Sequence, residues 1–200
     1  YMMKHCILMT VYKDVEQINR IINLAPENFD FFVHIDKKSC VNTTDISHRA
    51  HVFKEFQIYW GAVEHLKAFL FLMEKAFETH VEYDFYHLIT GQDFYACSFK
   101  SFDGLLESGK NYVEFHLLPR KGWWHGGFKI IKYKTLASKG DIRKGLTKFK
   151  NILYFLFQKI LRRTNPLPNY PMGCGSVYCS LCGGGDRLYP SFRYISGFTA

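Results

Sequence analysis

Residues 87–98 read HLITGQDFYACS, an apolar run that breaks on Gly91 and is followed at once by an amide, a carboxylate and two aromatics. With the preceding residues it forms DFYHLIT (84–90), whose aromatic and β-branched content is that of a short buried strand. Gly91 then turns the chain sharply, which sends Gln92 and Asp93 off the end of the strand. An aspartate there either binds a ligand or closes the turn, since Asp side chains readily bond their own backbone a few residues away.

Upstream, the same alternation recurs. HCILMT (5–10) is an apolar run, and Asp14 is placed to cap a helix whose apolar positions Val15, Ile18, Ile21, Ile22 and Leu24 keep a period near 3.6. FDFFVHI (29–35) is a second strand; it ends on Asp36 and a polar loop, KKSCVNTTD. A short strand near Val52 and Phe53 precedes a helix over 62–78, with Val63, Leu66, Phe69, Leu70, Met73 and Phe77 along one face. Strands alternating with helices predict an α/β sheet with parallel neighbours. Ligands bind such sheets beyond the carboxyl ends of the strands, where Thr10, Asp36 and Asp93 all fall.

Downstream, a helix is expected near 99–106, then a strand over NYVEFHLL (111–118), then a loop PRKGWWHGGF. A basic helix, RKGLTKFKNILYFLFQKILRR, follows at 143–163. Its apolar positions Leu146, Phe149, Leu153, Phe157 and Ile160 fit a face packed on a core, and also a helix resting on an anionic membrane surface. The run 151–161 is too short to span a bilayer.

Two hundred residues, 48% hydrophobic and 22% charged, predict one globular domain with an ample core. The formal charge of +8 favours an anionic partner: a phosphorylated substrate, anionic lipid or nucleic acid. The basic residues gather at 120–163 rather than along a surface interleaved with exposed aromatics, so nucleic acid is not the expected partner. Six cysteines without regular spacing, in a chain this large, fit a reducing compartment. Cys179 and Cys182 form a lone CxxC with no second pair for a zinc site, and the nine histidines show no HExxH. With no cleavable signal and no spanning segment, the expected location is cytoplasmic or peripheral to a membrane on its cytoplasmic face.

Five pieces taken in order, ILMTVYKDVEQINRIINL, FDFFVHIDKKS, IYWGAVEHLKAFLFL, YDFYHLITGQDFYACS and CGSVYCSL, resemble the core-2/I-branching β-1,6-N-acetylglucosaminyltransferases, the family that also takes in the peptide O-xylosyltransferases. The resemblance covers nearly all of residues 4–181. It implies a GT-A-like nucleotide-sugar-binding α/β fold with a mixed, mainly parallel sheet flanked by helices. The activity it implies is inverting transfer of N-acetylglucosamine or a related sugar from a UDP-sugar donor to a hydroxyl of a glycan acceptor. Two alternatives stay open: xylosyl transfer to a protein serine, and a non-catalytic nucleotide-sugar-binding remnant.

Carried over by position, Thr10, Val11, Asp36 and Trp60 are expected to line the uridine side, and Gln92 and Asp93 the donor sugar. Glu114, Trp123 and Trp124 would face the acceptor, with Gly175 and Ser176 closing the site. Branching members of the family use a basic pair instead of a metal. Accordingly no two aspartates here stand two apart, and His34 takes the place in HID of a metal-binding aspartate. Neither metal nor other cofactor is expected. The family's general base, a glutamate in a Ser-Pro-Asp-Glu type stretch, and its diphosphate-binding Arg and Lys lie beyond the GSVYC strand, and no such stretch follows Cys182. Residues 1–182 are therefore expected to be a glycosyltransferase domain lacking its catalytic end, and 183–200 (GGDRLYPSFRYISGFTA after Gly183) an atypical, truncated or frame-shifted tail.

Overall fold

A computed structural model of the chain describes residues 2–59, 62–123, 127–134, 144–166, 173–174 and 179–183. These fall into two compact units, one drawn from 1–57, 66–113 and 177–200 and the other from 58–65 and 114–176.

The first unit is built on β1 (His5–Val11), β2 (Phe29–Ile35), β3 (Ala50–Phe53) and β4 (Phe85–Thr90), with α1 (Val15–Leu24) and α2 (Glu64–Glu78) between them. The strands lie in the order β3-β2-β1-β4, and all three pairings are parallel. α3 (Phe99–Asp103) and β5 (Tyr112–Val113) follow β4. In the second unit, β6 (His116–Leu117) pairs antiparallel with β7 (Gly173–Cys174), and α4 (Phe128–Lys132) and α5 (Gly145–Ile160) lie between them in sequence. The chain then supplies β8 (Cys179–Cys182), which enters the first sheet antiparallel between β4 and β5. The result is an α/β unit with a mixed, mostly parallel six-stranded sheet.

Alternation along the strands divides the core into two faces, because successive side chains leave a strand on opposite sides. Ile7, Met9, Val11, Phe31, Val33 and Ile35 pack with Ile18, Ile21 and Ile22 of α1. Cys6, Leu8, Phe32, Tyr86 and Leu88 pack with Phe69, Leu72, Met73 and Ala76 of α2. Burial on both faces is what a parallel sheet requires. Phe31, Phe32 and Phe85 are each fully buried, and each contributes roughly 1.5–3 kcal/mol through removal of its ring from water.

Three local expectations change. α2 turns Ala68, Leu72 and Ala76 inward with Phe69 and Met73, and leaves Leu66, and Val63 just before the helix, exposed. Asp14 stands at the start of α1 but its side chain makes no cap; its backbone is left-handed (φ 60°) and the carboxylate is bonded elsewhere. NYVEFHLL is not one strand. Tyr112–Val113 pairs with β8, His116–Leu117 pairs with β7, and exposed Glu114 lies in the break.

α5 matches the basic helix expected over 143–163, but of its apolar side chains only Tyr154 and Phe155 are even half-buried. Leu146, Phe149, Ile152, Leu153, Leu156, Phe157 and Ile160 are all exposed. Only Gln158 of this helix is buried, and its amide brackets Lys134, accepting from the backbone N–H at 3.0 Å and donating to the carbonyl at 2.8 Å. Among the described residues no helix is long and apolar enough to cross a membrane.

Candidate functional site

The order β3-β2-β1-β4 means that the chain winds outward from β1 in one direction and then crosses back to place β4 on its other side. β1 and β4 are thus parallel neighbours where the strand order reverses, and the carboxyl ends at such a point are where α/β sheets bind ligands. Sequence and topology thus bring Thr10, Val11, Asp36, Gln92 and Asp93 to one sheet edge.

The edge is held by backbone bonds from β1. Thr10 O accepts from Gly91 N–H at 2.9 Å and Val11 O from Asp36 N–H at 2.8 Å, so the last carbonyls of β1 fix where both flanking loops begin. The side chains of Thr10 and Val11 are buried, and Val11 belongs to the core.

Asp36 is buried at the end of β2. Its Oδ1 accepts from Lys38 N–H at 3.0 Å, closing a tight turn, and its Oδ2 lies 3.4 Å from Lys38 Nζ. The loop beyond is stapled in place: Ser39 Oγ donates to Tyr12 O (2.7 Å), and Lys54 Nζ donates to Ser39 O (2.9 Å) and Val41 O (2.6 Å). His34, expected where other enzymes carry a metal-binding aspartate, is fully buried instead. Its Nε2 accepts from the backbone of Glu55 (3.2 Å) and Phe56 (3.0 Å), which assigns the ring proton to Nδ1 and gives His34 a structural task behind β3.

Asp93 closes its own turn: Oδ2 accepts from Thr90 N–H at 2.6 Å and from Thr90 Oγ1 at 3.0 Å. Gln92 is exposed and reaches across to α1, donating from Nε2 to Asp14 Oδ2 at 3.0 Å. That bond is the main reason the Asp14 carboxyl lies below its ordinary range, with Lys13 adding to it. Gln17 completes the tie by donating to Gly91 O at 3.0 Å. Between these loops lies an open depression lined by Asp14, Glu16, Gln17, Arg20 and Phe94, with the Arg20 guanidinium 5.6 Å above the Phe94 ring.

Glu114 and Trp123 belong to the second unit. Glu114 Oε1 pairs with His116 Nε2 at 2.9 Å. Trp123 is partly exposed, with the Arg120 guanidinium 4.9 Å over its ring. Trp60, Trp124, Gly175 and Ser176 lie outside the described residues, as does 184–200. Among the described residues no three His, Cys, Asp or Glu side chains gather as a metal-binding group.

Sequence reasoning missed Arg20, Phe94 and the role of Asp14, which share the crevice only because α1 and the loop after β4 meet at the switch point. It also missed a buried relay on the α1 face of the sheet. Asp103 Oδ1 lies 2.5 Å from His5 Nε2, His5 Nδ1 lies 2.9 Å from His87 Nε2, and His87 Nδ1 lies 2.7 Å from Ser180 Oγ. Burial pushes the His87 imidazole down to about 3, helped by the neighbouring His5. Burial lowers His5 as well, against the opposing pull of Asp103. The chain matches no protein-family model and no curated protein.

Proposed function

We propose that the chain is the nucleotide-sugar-binding part of a GT-A-like inverting glycosyltransferase of the branching type, taking a UDP-sugar donor, N-acetylglucosamine by preference, toward a glycan acceptor hydroxyl. One observation carries the proposal: the switch point between β1 and β4 is flanked by a buried carboxylate, Asp36, whose loop is stapled on both sides. An acidic side chain at the end of the strand next to the switch point is where nucleotide-binding α/β folds engage base or ribose hydroxyls. Lys13, Lys37 and Lys38 stand on the loops around the same edge and supply positive charge for a diphosphate. No metal is invoked, in keeping with the resemblance.

In this reading Asp36 and the β1 edge hold the uridine, the lysines meet the diphosphate, and the donor sugar lies toward Gln92 and Asp93, next to the depression that Arg20 and Phe94 line. Transfer itself needs a carboxylate to take the acceptor proton as the donor bond breaks, and the proposal assigns that role to no described residue. Acceptors at a membrane surface fit α5, which carries Lys148, Lys150 and Lys159 beside its exposed apolar side chains and has no acidic residue.

The test is calorimetric titration of UDP into the chain and into Asp36→Asn. Asparagine keeps an oxygen for the Lys38 N–H and removes the charge. Saturable UDP binding that weakens about tenfold in the variant, at unchanged thermal stability, is expected from loss of a charged hydrogen bond. Equal UDP affinity in the two proteins, or none in either, overturns the assignment. Competition between UDP-N-acetylglucosamine and UDP-xylose then separates the branching reading from the xylosyl one.

A further inference from the structure

On the α1 face of the first sheet, running from β4 and β8 under the loop that follows β4 and carries Asp93 and Phe94, lies a cavity of about 500 Å³. Ile7, Ile21, Ile89, Phe102 and Tyr112 give it apolar walls, and the exposed side chains of Phe94 and Leu105 line it where it meets solvent. Its size and lining are those of small-molecule sites, which set a few polar groups in an apolar wall to fix orientation. His87 and Ser180 are polar groups of this kind here.

The relay behind Ser180 sets the polarity of that anchor. An ionised carboxylate only accepts, so His5 Nε2 carries a proton and donates it to Asp103. His5 is neutral, so its Nδ1 accepts and His87 Nε2–H must be the donor. His87 Nδ1 then has a free lone pair, which takes the hydroxyl proton of Ser180. Each bond in the chain runs the same way, and Ser180 Oγ is left with lone pairs and no proton to offer the cavity. The relay is buried against water at both histidines, which holds this polarity across the neutral pH range.

We propose that this cavity is a second binding site, for a neutral, mainly apolar molecule that carries one hydrogen-bond donor, a phenol or alcohol, which it gives to Ser180 Oγ. The site borders the donor crevice at the loop after β4, where Phe94 lines both, but its polar anchor comes from β4 and β8, and it involves no bond-making step.

The probes are 1-naphthol and 1-methoxynaphthalene, which share a ring system and differ in whether the oxygen carries a proton. Titrated into the full chain by fluorescence, 1-naphthol is expected to bind saturably and at least about tenfold more tightly than the ether, the scale of one buried hydrogen bond made or left unmade. Ser180→Thr, which keeps the hydroxyl, retains the preference. Ser180→Val, the same shape without it, brings the two probes to equal affinity, and β-branched side chains suit the strand position in both variants. Thermal melts of the Thr and Val proteins check that they fold alike, and the comparison in the unsubstituted chain decides the question without them. Equal affinities for the two probes in the unsubstituted chain, no saturable binding of either, or a preference that survives Ser180→Val overturns the proposal. Each of those results leaves UDP binding at the strand ends as a separate measurement.

Discussion

A Cβ at Gly91 would stand 2.9 Å from Val11 Cγ1 and 3.1 Å from Ile18 Cγ1. The turn after β4 therefore passes against the end of β1 and the middle of α1 at a separation only glycine allows, and this close pass brings Gln92 within reach of Asp14. Gly91→Ala is expected to cost about 1–3 kcal/mol through overpacking. Truncating the opposing side chain in the same protein, Gly91→Ala with Val11→Ala, should cost less than the sum of the two single changes, because each relieves the other. A urea-denaturation cycle over the four proteins measures that coupling. Strict additivity would show that the turn does not press on Val11.

α5 gives a second expectation. Its exposed apolar side chains and its lysines favour an anionic bilayer, each basic residue near such a surface contributing about 1 kcal/mol. The chain should sediment with vesicles containing phosphatidylserine and far less with phosphatidylcholine alone. Lys148→Glu with Lys159→Glu should release it from the anionic vesicles, and added salt should do the same. Phe157→Asp should weaken binding at any salt concentration. Equal sedimentation with both lipids would remove charge from the account, and none with either would remove the membrane.

How far the sequence could be read follows from how local each signal was. β1, β2 and β4 were legible because a strand buried on both faces is a continuous apolar run, and α1 because its isoleucines repeat at the helical period. Asp36 and Asp93 were legible as strand-end carboxylates, yet nothing in LITGQD says that Asp93 turns back to Thr90 while Gln92 reaches 78 positions away to Asp14. NYVEFHLL kept one strand-like composition while its halves joined different sheets, a choice made by partners remote in sequence. The relay was illegible for the same reason. His5, His87, Asp103 and Ser180 are unremarked singly, and the sheet order alone puts β1, β4 and β8 side by side.

That relay makes stability depend on pH in a window above the carboxylates. In the folded chain burial keeps His87 neutral down to about 3 and also lowers His5, while in the unfolded chain both titrate near 6.5. His65, lowered by burial too, adds in the same sense. Between those limits the unfolded state binds more protons than the folded one, so stability is fully present above the unfolded value and falls as the pH drops toward 3. Each histidine held neutral contributes a slope of up to about 1.4 kcal/mol per pH unit. Urea unfolding at about pH 7.5 and about pH 5 should therefore give a clearly lower free energy at the acid point, where ordinary carboxylates are still ionised. Nuclear magnetic resonance of the imidazole C–H signals supplies the residue-level reading: His87 should show no titration over that interval. A full titration of His87 near the ordinary histidine value would mean that the ring is open to water, and the fixed polarity that Ser180 inherits from Asp103 would go with it.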